Sequence, residues 1–186
     1  MKKIVKRFCV ISGIVLFCFI LLGLGVKKWH NDKYGKLVFA YDIKNSQRGK
    51  THYEDDTVDL KVTRVEQRGR GGYIAIVFMD IKNKSNESNF LQTLWMSVNP
   101  AQYNPKQKKI ELTRNPLEYT LDKRAYPKVV DPYKYVIKPG KTVKTYDVVL
   151  LDYPGQDLNY VFQESAFDIG PYKPVISLKT KSIAKK

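Results

Sequence analysis

Beyond residue 26 the chain has no cysteine, since its only two, Cys9 and Cys18, fall in the first 26 positions. Disulfides, thiolate nucleophiles and cysteine-ligated metals are therefore excluded from everything that follows. Histidine is nearly as scarce, limited to His30 and His52. A Ser-His-acid arrangement needs a histidine base, and Ser85, Ser88, Ser97 and Ser165 lack the Gly-x-Ser-x-Gly setting of a nucleophile elbow. Glu111 and Glu118 form a glycosidase-like carboxylate pair only by elimination. One crowded spot remains, at His52, Glu54, Asp55 and Asp56, whose ligand types suit a hard cation. Adjacent carboxylates in an extended chain point to opposite faces, so a solvated turn is expected over residues 51–56. No catalytic residue, metal site or cofactor is expected, and no small-molecule substrate is evident.

What the chain does have is an uncharged run of nineteen residues, 8–26, with Lys2, Lys3, Lys6 and Arg7 before it and Lys27 and Lys28 after it. As a helix it would measure about 29 Å, close to the ~30 Å hydrocarbon core of a bilayer. It is expected to be a single transmembrane helix. A cleaved signal peptide is the alternative, but the only small-x-small site is Gly23-Leu24-Gly25, a poor match to Ala-x-Ala. A lipid-attachment site at Cys18 is disfavoured by the bulky Phe17 directly before it. The excess of positive charge ahead of the run puts residues 1–7 in the cytoplasm. Residues 27–35 then form a polar stalk, residues 36–180 an extracellular domain and residues 181–186 a basic tail. Within the span, the small residues Ser12 and Gly13 are candidates for helix–helix contact.

After the stalk, hydrophobicity takes a period of two. Val58, Leu60, Val62 and Val65 alternate with polar residues, which predicts a strand with one buried face. Residues 73–81 form a more continuous apolar run, which predicts a central strand buried on both sides. The glycines of Arg68-Gly69-Arg70-Gly71-Gly72 between them supply a hairpin. Further strands are expected at 37–43, 93–98, 109–112, 133–137, 143–151, 160–162 and 175–178. Asn99-Pro100, Asn104-Pro105, Asn115-Pro116 and Asp131-Pro132 are expected to open turns, and residues 113–127 to hold a short helical turn. Short strands with no interleaved helices imply an all-β antiparallel sandwich or barrel.

Three motifs carry a resemblance. They are Tyr73 to Asp80 leaving through Ile81-Lys82-Asn83-Lys84, the turn Lys138-Pro139-Gly140-Lys141, and the strand Val148-Val149-Leu150-Leu151 ending in Asp152-Tyr153-Pro154. Over residues 57–178 the chain resembles the DUF4352-type extracellular immunoglobulin-like domains of Gram-positive surface proteins. The resemblance implies an immunoglobulin-like β-sandwich outside the membrane and brings no catalytic residues. The chain departs from that family's pattern in its plain apolar anchor and in a Tyr/Lys/Pro-rich stretch at 99–132.

Charge narrows the partner. The chain carries 33 Lys or Arg against 18 Asp or Glu. Seven of the bases and one acid lie in residues 1–35, so the remainder holds 26 against 17, a net of +9. Such a field attracts polyanions. Tyrosine and base interleave at Tyr119, Lys123, Arg124, Tyr126, Lys128, Tyr133, Lys134 and Tyr135, a composition able to stack sugar rings while pairing phosphates. With Arg68 and Arg70 of the hairpin, these are the candidate binding residues. The expected function is that of a membrane-anchored, non-enzymatic surface protein binding an envelope protein or anionic envelope polymer, not nucleic acid. An accessory subunit of an envelope transport, secretion or conjugation complex is the alternative.

Overall fold

The computed structural model describes residues 12, 15, 17–25, 28, 35, 37–43, 51–69, 72–95, 98–113, 120–163 and 171–181. The chain divides into two compact units, Met1–Gly35 and Lys36–Lys186. In the first, Ser12, Val15, residues 17–25 and Lys28 are helical and exposed. Among the described residues no helix is long and apolar enough to cross a membrane. Much of the expected span, including Gly13, lies outside the described residues.

The second unit consists of antiparallel sheets consistent with a β-sandwich. Its strands are β1 (Leu37–Asp42), β2 (His52–Glu54), β3 (Val58–Arg68), β4 (Ile74–Asn83), β5 (Asn89–Phe90), β6 (Val98–Asn104), β7 (Lys109–Leu112), β8 (Val136–Ile137), β9 (Thr142–Leu150), β10 (Leu158–Phe162) and β11 (Pro174–Leu178). The first sheet runs β1-β3-β4-β9, with β2 also paired to β3; the second runs β11-β10-β6-β7; β5 and β8 form a small ribbon. One hydrophobic cluster joins Leu60, Val62, Val65, Val77, Met79 and Ile81 of the first sheet to Val98, Leu158, Tyr160, Ile176 and Leu178 of the second. Leu91 and Ile137 close it from the ribbon side. Each fully buried aliphatic in such a core contributes about 1.5–3 kcal/mol by leaving water.

The expectation that β4 is buried on both sides holds. Its inward row is Ala75, Val77, Met79 and Ile81, and its outward row includes Ile76, 0% exposed, and Phe78, 7% exposed. Register explains the outer layer: Glu66 lies across from Ile76 and Ile76 from Val148, while Arg64 lies across from Phe78 and Phe78 from Tyr146. Residues 120–135 pack over this face. The Tyr126 ring lies 5.1 Å from that of Phe78, the Leu121 N–H donates to the Tyr146 hydroxyl oxygen (3.2 Å), and the Val130 N–H donates to Lys144 O (2.9 Å).

The two best turn motifs are built as their residues suggest. Gly69 has φ 90° and its carbonyl accepts from the Gly72 N–H (3.0 Å), closing the β3–β4 hairpin. Gly140 has φ 69° in the turn in which Lys141 N–H donates to Lys138 O (3.2 Å), where Pro139 pre-sets the first central residue. This turn meets the exit of β4: Gly140 N–H donates to Asn83 O (2.8 Å), and the fully buried Asn83 amide donates to Ile137 O (3.1 Å).

Several expectations are corrected. Residues 51–56 are not simply a solvated turn, because His52–Glu54 forms edge strand β2 against Asp59–Lys61 of β3. Residues 93–98 are not a strand; Leu91–Trp95 is a 3-10 helix and β6 starts at Val98. The strand expected at 133–137 shrinks to Val136–Ile137, since Asp131 caps a turn by accepting the Tyr133 N–H (3.0 Å). Asn99-Pro100 opens no turn but lies inside β6. Pro100 O accepts from Thr113 N–H (2.9 Å), so the proline nitrogen faces the side where β7 has just ended and no ladder bond is lost. Asn104-Pro105 does turn, with Asn104 Oδ1 accepting from the N–H of Lys106 (2.9 Å) and Gln107 (3.1 Å).

Candidate functional site

The layer at 120–135 does not seat flush on the first sheet. It leaves a cleft of about 400 Å3 lined by Thr120, Leu121, Lys123, Tyr126, Pro127, Val129, Val130, Asp131, Lys134 and Tyr135, with Tyr146 of β9 as its floor. Two local turns shape its rim. At Asp122, the backbone carbonyl accepts from the N–H groups of Ala125 (3.1 Å) and Tyr126 (3.0 Å), and the carboxylate accepts from Arg124 N–H (3.0 Å). At Asp131-Pro132, the turn described above brings Lys134 Nζ to 4.0 Å from the Asp131 carboxylate.

Four of the residues singled out from sequence therefore share one cleft: Lys123, Tyr126, Lys134 and Tyr135. Lys123, Lys134 and Tyr135 are exposed, so two ammonium groups and an aromatic face are presented to solvent. The Tyr126 hydroxyl donates to Glu66 and the Tyr146 hydroxyl accepts from the Leu121 N–H, so it is their rings that line the cleft. Burial foremost, with the nearby Glu66 charge, pushes the Tyr126 hydroxyl up to about 12, partly opposed by Arg68. It stays a neutral donor throughout the physiological range.

The other singled-out residues fall elsewhere. Arg124 pairs with Asp122 at 3.4 Å, and Lys128 is exposed but does not line the cleft. Tyr133 is 37% exposed, and its hydroxyl is raised by burial first and then by the charges of Asp147 and Asp131. Arg68 is not a solvent-facing loop arginine. Only 7% exposed, it binds the buried Glu66 through Nη2 (2.6 Å) and Nε (2.8 Å). Arg64 binds the other Glu66 oxygen at 2.9 Å, and the Tyr126 hydroxyl donates to Glu66 at 3.0 Å. Arg70, Tyr119 and Gly13 lie outside the described residues, and Ser12 is an exposed helical residue.

The cluster at 52–56 is accounted for by the edge strand. His52 Nε2 lies 2.8 Å from Asp59 Oδ1 and Glu54 pairs with Lys84 at 3.1 Å. Asp55 Oδ1 accepts from the N–H groups of Thr57 (2.7 Å) and Val58 (2.8 Å), and Oδ2 accepts from the Tyr53 hydroxyl (2.9 Å). Burial tends to raise the Asp55 carboxyl, but these hydrogen bonds outweigh it and leave the group below its ordinary 3.8. The carboxylates thus point to different partners, and among the described residues no group of three or more metal-ligating side chains converges.

Sequence reasoning found the lysines and tyrosines of the cleft but not its floor or its hydrophobic backing. Tyr146 reads as one more residue of a strand, and only the register places it beneath residues 120–135.

No protein-family model and no curated protein matches the chain. The DUF4352 resemblance accordingly stands on its three motifs. Among solved structures, one described as "a putative lipoprotein" from Staphylococcus aureus is 16% identical with a TM-score of 0.49, covering 70% of this chain and 88% of that one. A functionally unknown protein from Listeria monocytogenes is 11% identical with a TM-score of 0.37, covering 79% of this chain and 90% of that one. Both likenesses are too distant to bear on function.

Proposed function

We propose that this chain is a membrane-anchored, non-enzymatic cell-surface protein whose immunoglobulin-like sandwich binds an anionic polymer of the envelope in the cleft between residues 120–135 and β9. The observation that carries this is the convergence of Lys123, Lys134 and the Tyr135 ring on a single concave surface. Lysines there pair with phosphate or carboxylate groups while the aromatic walls take the apolar faces of sugar or alditol units. The net charge of +9 outside residues 1–35 would draw such a polymer in from a distance. The apolar run at 8–26, with its basic flank, supports a retained single span with the sandwich outside the cell.

The test is binding of full-length protein in detergent micelles to a poly(glycerol phosphate) probe. Lys123→Gln combined with Lys134→Gln is expected to weaken binding about tenfold, since each exposed charge contact contributes up to about 1 kcal/mol. Unchanged affinity in a folded double variant would take the polymer out of the cleft. Salt-independent capture of one envelope protein by the same surface would replace the polymer with a protein partner.

A further inference from the structure

The wall of the cleft continues into the ribbon of β5 and β8. Leu91 N–H donates to Tyr135 O (2.8 Å) and Gln92 N–H donates to Pro132 O (3.2 Å), so the segment carrying Lys134 and Tyr135 is bonded to the chain just after β5. Beyond Tyr135 that segment becomes β8, where Val136 lies across from Phe90 and Ile137 across from Asn89. Ile137 is buried at 1% exposure, and alternation puts its neighbours Val136 and Lys138 on the outer face. Directly paired residues share a face, so the Phe90 ring stands beside Val136. Both are open to solvent, Phe90 60% exposed and Val136 46%. A ribbon this short does not hold itself together. The buried Asn83 holds it: its amide donates to Ile137 O (3.1 Å) and to Glu87 O (2.7 Å), and its backbone bonds Gly140 N–H and Lys141 O. Phe90, Val136 and Lys138 are thus mounted on the same frame as the cleft wall.

Charge follows the same path. From Tyr133 to Lys141 the chain has three lysines, Lys134, Lys138 and Lys141, and no acid. Lys138 and Lys141 are exposed and form no ion pair among the described residues. The acids of the neighbouring loops do not reach them: Glu54 pairs with Lys84 (3.1 Å), Asp59 lies 2.8 Å from His52, Asp55 accepts from backbone N–H groups, and Asp56 and Glu87 are exposed. A polymer that repeats its phosphates repeats its need for cations, and a cleft of about 400 Å3 contains only a short stretch of one. From Tyr135 to Lys138 the backbone reaches at most about 11 Å. Along it the order is lysine, aromatic ring, apolar pair, lysine. Leu37, Val38 and Tyr73 are exposed apolar side chains as well. What marks Phe90 and Val136 is their place between two cationic positions on one bonded segment.

We infer that the polymer's site extends out of the cleft over the β5–β8 ribbon, with Phe90 and Val136 beneath the apolar faces of its polyol or sugar units and Lys138, then Lys141, taking successive phosphates. This rests on the cleft reading proposed above and adds to it a preference for long chains over short fragments.

The test compares two probes on full-length protein in detergent micelles: poly(glycerol phosphate), read by equilibrium binding, and a glycerol phosphate dimer small enough for the cleft, read by ligand-observed NMR. Lys138→Gln and Phe90→Ser are each expected to lower the ratio of polymer affinity to dimer affinity about fivefold, the worth of one exposed contact. Lys138→Arg, which keeps the charge, should keep the wild-type ratio. Lys123→Gln combined with Lys134→Gln should instead weaken both probes. Circular dichroism and urea unfolding check each variant, and where Phe90→Ser does not fold, Val136→Thr takes its place. A wild-type ratio in folded Lys138→Gln and Phe90→Ser overturns the extension and leaves the cleft standing. Equal weakening of polymer and dimer by Lys138→Gln overturns it as well, because the lysine would then act on the cleft and not beyond it. Wild-type binding of both probes by the Lys123, Lys134 double variant overturns the cleft and the extension together.

Discussion

The buried carboxylate of Glu66 makes a demanding prediction. It is 2% exposed and satisfied by Arg68, Arg64 and the Tyr126 hydroxyl. Arg68→Met keeps much of the side-chain volume but removes the two nitrogens bound to Glu66. The side chain of Arg64 is 41% exposed and reaches only the other oxygen, so it cannot replace them. Breaking a buried ion pair from one side costs about 3–5 kcal/mol because the remaining charge is left poorly solvated. For a chain of this size each kcal/mol lowers Tm by about 2–4 °C, so a drop on the order of 10 °C is expected. The measurement is thermal and urea unfolding of the full-length protein followed by circular dichroism, at low and high salt. Adding Glu66→Gln to Arg68→Met should recover part of the loss, because no charge is then stranded. A loss below 1 kcal/mol, or one that vanishes in salt as a surface pair would, refutes this account of Arg68 and returns it to the list of ligand-binding residues.

Two further predictions concern pH. The Asp55 carboxyl lies below its unfolded value, so its contribution is full above about pH 3.8 and is lost as pH falls through the folded value; Asp55→Asn should cost about 1 kcal/mol at neutral pH and flatten the acid limb of a urea-midpoint profile. Were that limb unchanged, the hydrogen bonds to Asp55 would not be stabilising its charge. Tyr53 and Tyr126 are each raised to about 12, and the buried Tyr160 is also raised well above its ordinary value, first by burial and then by Asp147. These groups stabilise fully below pH 10 and lose their contribution as pH rises through their folded values, so an ultraviolet titration of the native protein should show delayed phenolate formation coupled to unfolding; Tyr126→Phe should remove one delayed group.

Much of the sandwich was legible because its residues vote locally and together. The alternation of Val58, Leu60 and Val62, the unbroken apolar run through β4, and the glycines at 69 and 140 each state a requirement that the fold then meets. Failures occurred where a local signal was outvoted at long range. Pro100 reads as a turn but sits in β6 because β7 stops one residue short of needing its missing N–H. His52 to Glu54 look like a polar loop, yet β3 extends past the end of β1 and offers an unpaired edge. Arg68 looks like a loop cation until register sets it on the same outer row as Glu66. The cleft was half legible: its lysines and tyrosines stand in one stretch of sequence, whereas Tyr146 and Phe78 arrive only through the pairing of β9 with β4.

The central claim is that the cleft holds a polyanion, and the most direct measurement is a salt series of equilibrium binding between the full-length protein and poly(glycerol phosphate), run in parallel with the Lys123→Gln, Lys134→Gln double variant. The account predicts that wild-type affinity falls steeply with ionic strength and that the variant binds more weakly with a shallower dependence, its unfolding unchanged. Identical salt profiles for the two proteins would contradict it.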